Sequence, residues 1–273
     1  MKKNLTIFLL IIIILISFVS VYKHWKLRKE TYKDTNSTIF QPEEIIVSDS
    51  FETKVLNAKD DYVNFDIKYP SFKNVDSDFN LKIENLIKLK MEDHKKVSQE
   101  YWQARIDTQT KGENISKIPS DEEKMSFFSN FTVAQSNSNY ISFILKYGGF
   151  SGGAHGYEDI VSFNYDVKNH RNIELKDLFI NNTQYLTTLS NSSREYLKNQ
   201  FATISEEDKN NSTPEALKQY VDNMVSMINS GTEPKEENFN TFTFVPGKLK
   251  IYFAQYQVGP YVIGEPEFEM SLK

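Results

Sequence analysis

The chain contains no cysteine, which excludes a disulfide-stapled miniprotein and any zinc–cysteine site. Histidine is nearly as scarce. The four that occur, His24, His94, His155 and His170, never pair at the helical or short-loop spacing of metal ligands, and neither a metal nor another cofactor is expected. Glycine (10) and proline (8) are few in 273 residues, which excludes a collagen-like chain. With 39% hydrophobic and 25% charged residues, a wholly disordered chain is excluded as well. What remains is a folded body of about 240 residues after the first 30, enough for one large or two small domains.

Positive charge is short too. The net charge is −5, and beyond residue 30 the count is 26 basic against 36 acidic residues, or −10. Such a body repels nucleic acid and anionic lipid, and its field favours encounter with a cationic partner. No nucleic-acid partner is expected. The many Asn-x-Ser/Thr triplets follow from an Asn-rich composition rather than marking glycosylation.

Against this polar background stands one apolar run, residues 5–22, without a charge from Leu5 to Tyr22 and just long enough to cross a bilayer as a helix. Ser17-Phe18-Val19-Ser20 puts bulky residues where a cleavable signal needs small ones, so an uncleaved anchor is expected. Lys23, Lys26, Arg28 and Lys29 outnumber Lys2 and Lys3, but a basic pair directly before the run has the form of an export signal. The body is therefore expected outside the cell membrane, as a single-pass protein, and the absence of cysteine fits that side.

Residues 31–43 read as a tether, with structure beginning after Pro42. Period-two alternation predicts strands over 62–69, ended by Pro70, and at 127–133, 141–147, 161–167, 172–175, 242–245, 248–255 and 267–272. Helical spacing of Phe79, Ile83, Leu86, Ile87, Met91, His94, Val97 and Tyr101 predicts a long helix after an Asp76 or Ser77 cap, with His94 at its boundary. Further helices are expected at 182–202 and 214–230, the latter with a Ser212–Glu215 capping box and Gly231 closing its end. Asn169-His170 suits a tight turn, the Asn taking the positive φ. No βαβ rhythm is visible, so the expected class is α+β: antiparallel sheets packed with two or three helices, preceded by one transmembrane helix. The expected divisions are 1–30, 31–43, 44–145 and 146–273.

Five of the ten glycines lie in residues 148–156. This run holds a literal G-x-S-x-G around Ser151, but a strand rather than a helix follows, so the serine lacks the setting of a nucleophile elbow. A phosphate loop would need Gly-Lys-Ser/Thr, which is absent. Paired carboxylates such as Asp60-Asp61, Glu122-Glu123 and Glu206-Glu207 are expected to be solvated, and no catalytic residue is nominated. His155 is read as holding the glycine loop through backbone hydrogen bonds. A second patch gathers Tyr252, Tyr256, Gly259-Pro260-Tyr261 and Gly264. Binding residues are expected at Ser151, Gly152, Gly153, His155, Pro260 and Tyr261, where glycine, proline and aromatics concentrate outside helices.

Gly152-Gly153-Ala154-His155, the strand Phe163-Asn164-Tyr165-Asp166, the stretch Ile173 to Phe179, and Ile251-Tyr252-Phe253 with Tyr256, Pro260-Tyr261 and Gly264 resemble the C-terminal domain of RsiV-like proteins. Tyr69-Pro70-x-Phe72 with Asn80 and the Phe79 to Tyr101 helix resembles the PdaC-like domain that precedes it, found also beside the catalytic domain of a peptidoglycan deacetylase. The two likenesses cover about residues 45–273. They imply an outer domain that binds lysozyme, the wall-cleaving enzyme, as in a membrane anti-sigma factor. Only Met1 to Asn4 precede the apolar run, so no sigma-binding segment is expected, and no Asp-His metal motif of a deacetylase is found. The expected function is a membrane-anchored extracytoplasmic binding protein of the cell envelope, with lysozyme or another cationic wall-active protein as partner. A glycan-acting envelope enzyme and a wall-polymer docking module stay open as alternatives.

Protease added to intact protoplasts should digest the body, as the leader and apolar run require. Complete protection until lysis would place it on the other side.

Overall fold

The computed structural model describes residues 50–108, 115–153, 155–179, 182–204, 209 and 212–272. The expected anchor at 5–22 and tether at 31–43 lie outside them. Among the described residues no helix is long and apolar enough to cross a membrane.

Six strands, β1 Phe51–Leu56, β2 Val63–Phe72, β3 Met125–Ser136, β4 Tyr140–Phe150, β5 Tyr157–Asp166 and β6 Arg171–Asn172, form one sheet in sequence order. Between β2 and β3 runs α1, Ser77–Asp107. Its inward stripe is Phe79, Ile83, Ile87, Met91, His94, Ser98 and Trp102, spaced three or four apart so that one face stays on the sheet. That face packs on Val63, Ile67, Phe127, Phe143, Leu145 and Phe163, where the Phe143 and Phe163 rings stack at 4.9 Å. Val97 and Tyr101, expected inward, are 45% and 46% exposed. Ser98 and Trp102 occupy the stripe instead, the Trp102 indole donating to the Ser116 carbonyl at 3.2 Å.

The class is α+β with three α-helices among the described residues, but the large sheet is mixed rather than antiparallel. β2 and β3 pair in parallel, Val63 opposite Met125 through Ile67 opposite Ser129. The reason is α1: a long helical crossover returns the chain to the end where β2 began, and only a parallel strand can follow. Pro70 does not end β2, which continues to Phe72. It pairs with Thr53 of β1 beyond Ile67, the last β2 residue in register with β3, so its missing N–H costs no bond on that side. Asp60 is not solvated: its side chain is 7% exposed, pairs with Lys95, and accepts from the N–H groups of Tyr62 and Val63. In the turn before β6 it is His170, not Asn169, that takes the left-handed φ of 52°, with its Nδ1 and the Tyr165 hydroxyl both on Asp76 Oδ2 at 2.7 and 2.9 Å.

Two helices, α2 Tyr185–Phe201 and α3 Pro214–Gly231, precede a three-stranded antiparallel sheet of β7 Phe242–Val245, β8 Lys248–Tyr252 and β9 Glu267–Ser271. The cap of α3 is Thr213, whose hydroxyl accepts from Ala216 N–H at 3.3 Å, one residue after the expected Ser212. Gly231 is the last helical residue and Thr232 the C-cap. Leu189, Leu197, Met224 and Ile228 from the helices share a core with Phe239, Phe242, Leu249 and Ile251.

The two sheets meet through polar atoms. β7 is an edge strand, and its free row of backbone groups faces the large sheet. Gln135 Nε2 donates to the Phe244 carbonyl (2.7 Å), Phe244 N–H to Ser142 Oγ (2.9 Å), Asn164 Nδ2 to the Phe242 carbonyl (2.8 Å) and Phe242 N–H to Ser162 Oγ (3.1 Å). Ser142 Oγ donates in turn to Asn164 Oδ1 at 2.7 Å. Gln135 and Ser142 are fully buried and Asn164 nearly so. The expected division at residue 145 falls inside β4, which is paired with β3 and β5 on both sides of that point.

Removing the Asn164 side chain strands the Phe242 carbonyl in this seam. Asn164→Ala should therefore lower stability by about 1–3 kcal/mol. Urea unfolding followed by circular dichroism measures it, and an unchanged midpoint would show that the seam is dispensable.

Candidate functional site

The glycine-rich run leaves β4 at Phe150 and re-enters the sheet at Tyr157. Gly152 and Gly153 take φ of 93° and 99°, a region that side-chain-bearing residues rarely adopt. An added Cβ at Gly152 would also lie 2.7 Å from the Tyr101 ring, whereas at Gly153 it would meet open space. The run is thus turned by backbone conformation at both positions and seated on α1 at one. Ala154 lies outside the described residues.

A second loop, 253–266, closes at its neck where Phe253 N–H donates to the Pro266 carbonyl at 2.9 Å. Phe253 and Val258 are fully buried and anchor it. Gln257 Nε2 donates to the carbonyls of Gly231 and Asn238, both at 3.0 Å. From this base the loop presents Tyr256, Pro260 and a turn over Tyr261–Ile263. Tyr256 has a left-handed φ of 66°, an uncommon and costly conformation for an aromatic residue.

The two loops meet at His155. Its Nδ1 is 2.8 Å from the Gly156 carbonyl and so carries the hydrogen, which leaves Nε2 to accept from the Tyr256 hydroxyl at 3.1 Å. The imidazole stacks on Tyr261 with centroids 4.0 Å apart and planes at 22°. Tyr256 and Tyr261 are 5.9 Å apart, and all three rings are exposed. Of the six expected binding residues, His155 and Tyr261 are in direct contact. Gly152 and Gly153 shape the loop that carries His155, Pro260 caps the turn that carries Tyr261, and Ser151 is partly exposed at the exit of β4. Both His155 nitrogens are engaged by groups other than Ser151, so the literal G-x-S-x-G forms no Ser–His pair. Tyr256 was not among the expected site residues; its place beside Gly and Pro in the C-terminal loop was the available signal.

A charge group that no motif announces ties the same loop to the large sheet. Lys146 of β4 binds Glu265, which follows the Tyr261 loop, and Glu158 of β5 at 3.1 Å. The Glu265 side chain is 5% exposed, and its Oε1 is buried without a partner among the described residues. Burial pushes its carboxyl above the ordinary 4.5, against the pull of Lys146 and with the help of Glu158. Burial works to lower Lys146, but the two carboxylates outweigh it and hold the ammonium up. The cluster sets two acids around one base, and its surplus negative charge adds to the burial that raises Glu265.

His94, expected at a boundary, is instead buried at 3% exposure under Phe127. Its Nδ1 meets the Tyr157 hydroxyl at 3.0 Å, while Nε2 faces the Ser126 backbone without forming a sound bond. Burial lowers its pKa and keeps it neutral. Burial also raises Tyr157, with Asp159 and Asp93 nearby adding to the shift. Among the described residues no three of His, Asp and Glu come together as a metal-holding group.

Residues 56–158 match the family model described as Deacetylase PdaC, and residues 176–273 the one described as Protein of unknown function (DUF3298). The peptidoglycan-N-acetylmuramic acid deacetylase PdaC of Bacillus subtilis (strain 168) is 26% identical over 259 residues, 94% of this chain and 46% of that protein. The chain therefore spans about half the length of this curated relative. A crystal structure of a DUF3298 family member from Bacteroides fragilis NCTC 9343 covers 87% of this chain and 92% of its own, with TM-score 0.51 and 17% identity, a likeness of fold. The likeness to the PdaC protein runs along nearly the whole chain, while the PdaC family model matches its first region and the DUF3298 model its second. The Gly-Gly-Ala-His stretch falls within the PdaC match, not in the C-terminal region where it was expected, and the aromatic cluster draws His155 from the first match and Tyr256 and Tyr261 from the second.

Glu265 binds its proton more tightly in the folded chain than its ordinary 4.5 allows, so stability present below 4.5 is lost as pH rises through the raised value. Glu265→Gln, which mimics the protonated form, should gain stability relative to the parent as pH rises from about 4.5 to neutral. Thermal unfolding across that range measures the difference, and a difference that does not change with pH would overturn the assignment.

Proposed function

We propose that this chain is a membrane-anchored binding protein of the cell envelope, held by residues 5–22 with its body outside, and that the His155–Tyr256–Tyr261 cluster is its recognition surface. One observation carries the reading: loops from two separately matched regions converge on an exposed aromatic cluster built on a buried, hydrogen-bonded base. Exposed rings on rigid supports are the usual anchors of protein recognition, because they bury large area and lose little conformational freedom. The strained Tyr256 backbone supports a binding role, since strain of this kind persists where surrounding structure and function hold it.

Charge selects the class of partner. The body carries −10 beyond residue 30, and Asp93 and Asp159 beside Tyr157 have no ion pair among the described residues. A cationic wall-active protein such as lysozyme suits this field, which would speed encounter at low salt. The likeness to a protein named as a peptidoglycan deacetylase supports a place in the cell envelope. It also favours a second reading, docking to wall glycan, in which the stacked Tyr261 ring would lie on a sugar face.

Tyr261 is 37% exposed, so Tyr261→Ala should leave the fold intact and weaken lysozyme binding by about 2 kcal/mol. Calorimetry on the full chain in detergent, with a neutral protein as control, measures it. Absence of lysozyme binding by the parent at low salt would remove this partner, and binding of a peptidoglycan fragment lost in the same variant would favour the glycan reading.

A further inference from the structure

β5 is ten residues long, and its inner side is paired with β4 along its whole length. Its outer neighbour β6 has two residues and pairs only with Tyr165 and Asp166. Ile173 N–H adds a bond to the Asn164 carbonyl at 2.8 Å, and the chain then leaves the sheet for a turn over Leu175–Leu178. Main-chain groups of successive residues in a strand point to opposite sides. The alternation that turns Asn164 outward therefore turns Ser162, Ile160 and Glu158 outward as well. Among the described residues, the N–H and C=O groups of these three have no backbone partner on that side.

Sheet edges of this kind are ordinarily blunted by proline, by lysine or by a covering segment. Between Tyr157 and Asn164 there is neither proline nor lysine. Where β6 departs, the chain leaves a cleft of about 470 Å³, lined by Ser162, Ile173, Phe242, Glu236 and Lys82 among others. At the other end of the edge stand Asp159 and, from α1, Asp93, neither in an ion pair among the described residues.

We propose that the outer edge of β5, residues 158–162, receives an extended basic peptide segment of a partner protein as an added strand that continues the line of β6. The row of unpaired amides and carbonyls matches the backbone of a strand. Asp159 and Asp93 select a lysine or arginine at the Tyr157 end, and the cleft takes the side chain at the other. The edge begins three residues after His155 and uses no atom of the aromatic cluster, so it stands independently of the recognition surface proposed above.

The test uses the full chain in detergent micelles and an acetylated, amidated hexapeptide of alternating lysine and valine. Amide exchange read by NMR should slow about tenfold or more at Glu158, Ile160 and Ser162 when the peptide is added. The same peptide N-methylated at every residue keeps its charge but has no N–H to give on either edge, and should give no protection. Asp159→Lys should weaken peptide binding about fivefold or more with thermal unfolding unchanged. Equal protection by the N-methylated peptide, protection by a chitin oligosaccharide and not by the peptide, or concentration-dependent protection in the chain alone, which would make a second copy the occupant, would each overturn the proposal.

Discussion

An edge strand has one row of backbone groups without a strand to bond, and in β7 that row points into protein rather than water. Buried amides and carbonyls left unpaired are costly, and four of them in a row would undo the packing around them. Side chains of the large sheet supply the partners: Gln135 and Asn164 give hydrogens to the Phe244 and Phe242 carbonyls, and Ser142 and Ser162 take the two N–H groups. The rest of the arrangement depends on this substitution of side chains for a strand. It sets where the small sheet sits on the large one, and therefore where everything attached to the small sheet arrives.

What arrives is the 253–266 loop. With β7 held in place, β8 runs into Phe253 and the loop passes over the even-numbered face of β4 and β5, where Tyr252 packs with Ile144 and Ile160. Glu265 then reaches Lys146 and Glu158, and Tyr261 reaches His155. Two ties of different chemistry thus hold one loop. The first is electrostatic, centred on the buried Glu265 side chain with Lys146 and Glu158 partly exposed, and burial of that carboxyl makes it sensitive to a proton. The exposed one is an aromatic stack with a hydrogen bond. A region that matches PdaC and a region that matches DUF3298 are consequently joined twice, first by backbone satisfaction and then by the loop.

Much of the fold was legible in residue patterns. Alternation at 141–147 and 242–245 marked strands because each carries an apolar face that must be buried, and the Phe79–Ile83–Ile87–Met91 spacing marked α1 for the same reason. Patterns were silent where period does not distinguish outcomes. A parallel and an antiparallel β2–β3 pair show the same alternation, and only the length of α1 between them decides. Val97 and Tyr101 fit a helical stripe as well as Ser98 and Trp102 do, and the choice came from which of them the sheet met. In the turn before β6, Asn169 had the better intrinsic claim to positive φ, but Asp76 holds His170 there.

The site divides the same way. Residue type alone determined that Gly152 and Gly153 would turn the chain and that Pro260 and Tyr261 would sit in a loop, because those conformational limits are intrinsic to each residue. Composition determined the acidic charge of the body and the apolar run near its start. Tertiary structure decided that His155 and Tyr261, 106 positions apart in the numbering, share a stack. It decided also that Ser142, Ser162 and Asn164, ordinary outward residues of alternating strands, are the dock for a second sheet, and that Glu265 is buried against a lysine. Such pairings depend on which surfaces are pressed together, and a one-dimensional pattern records only which face of each element is apolar.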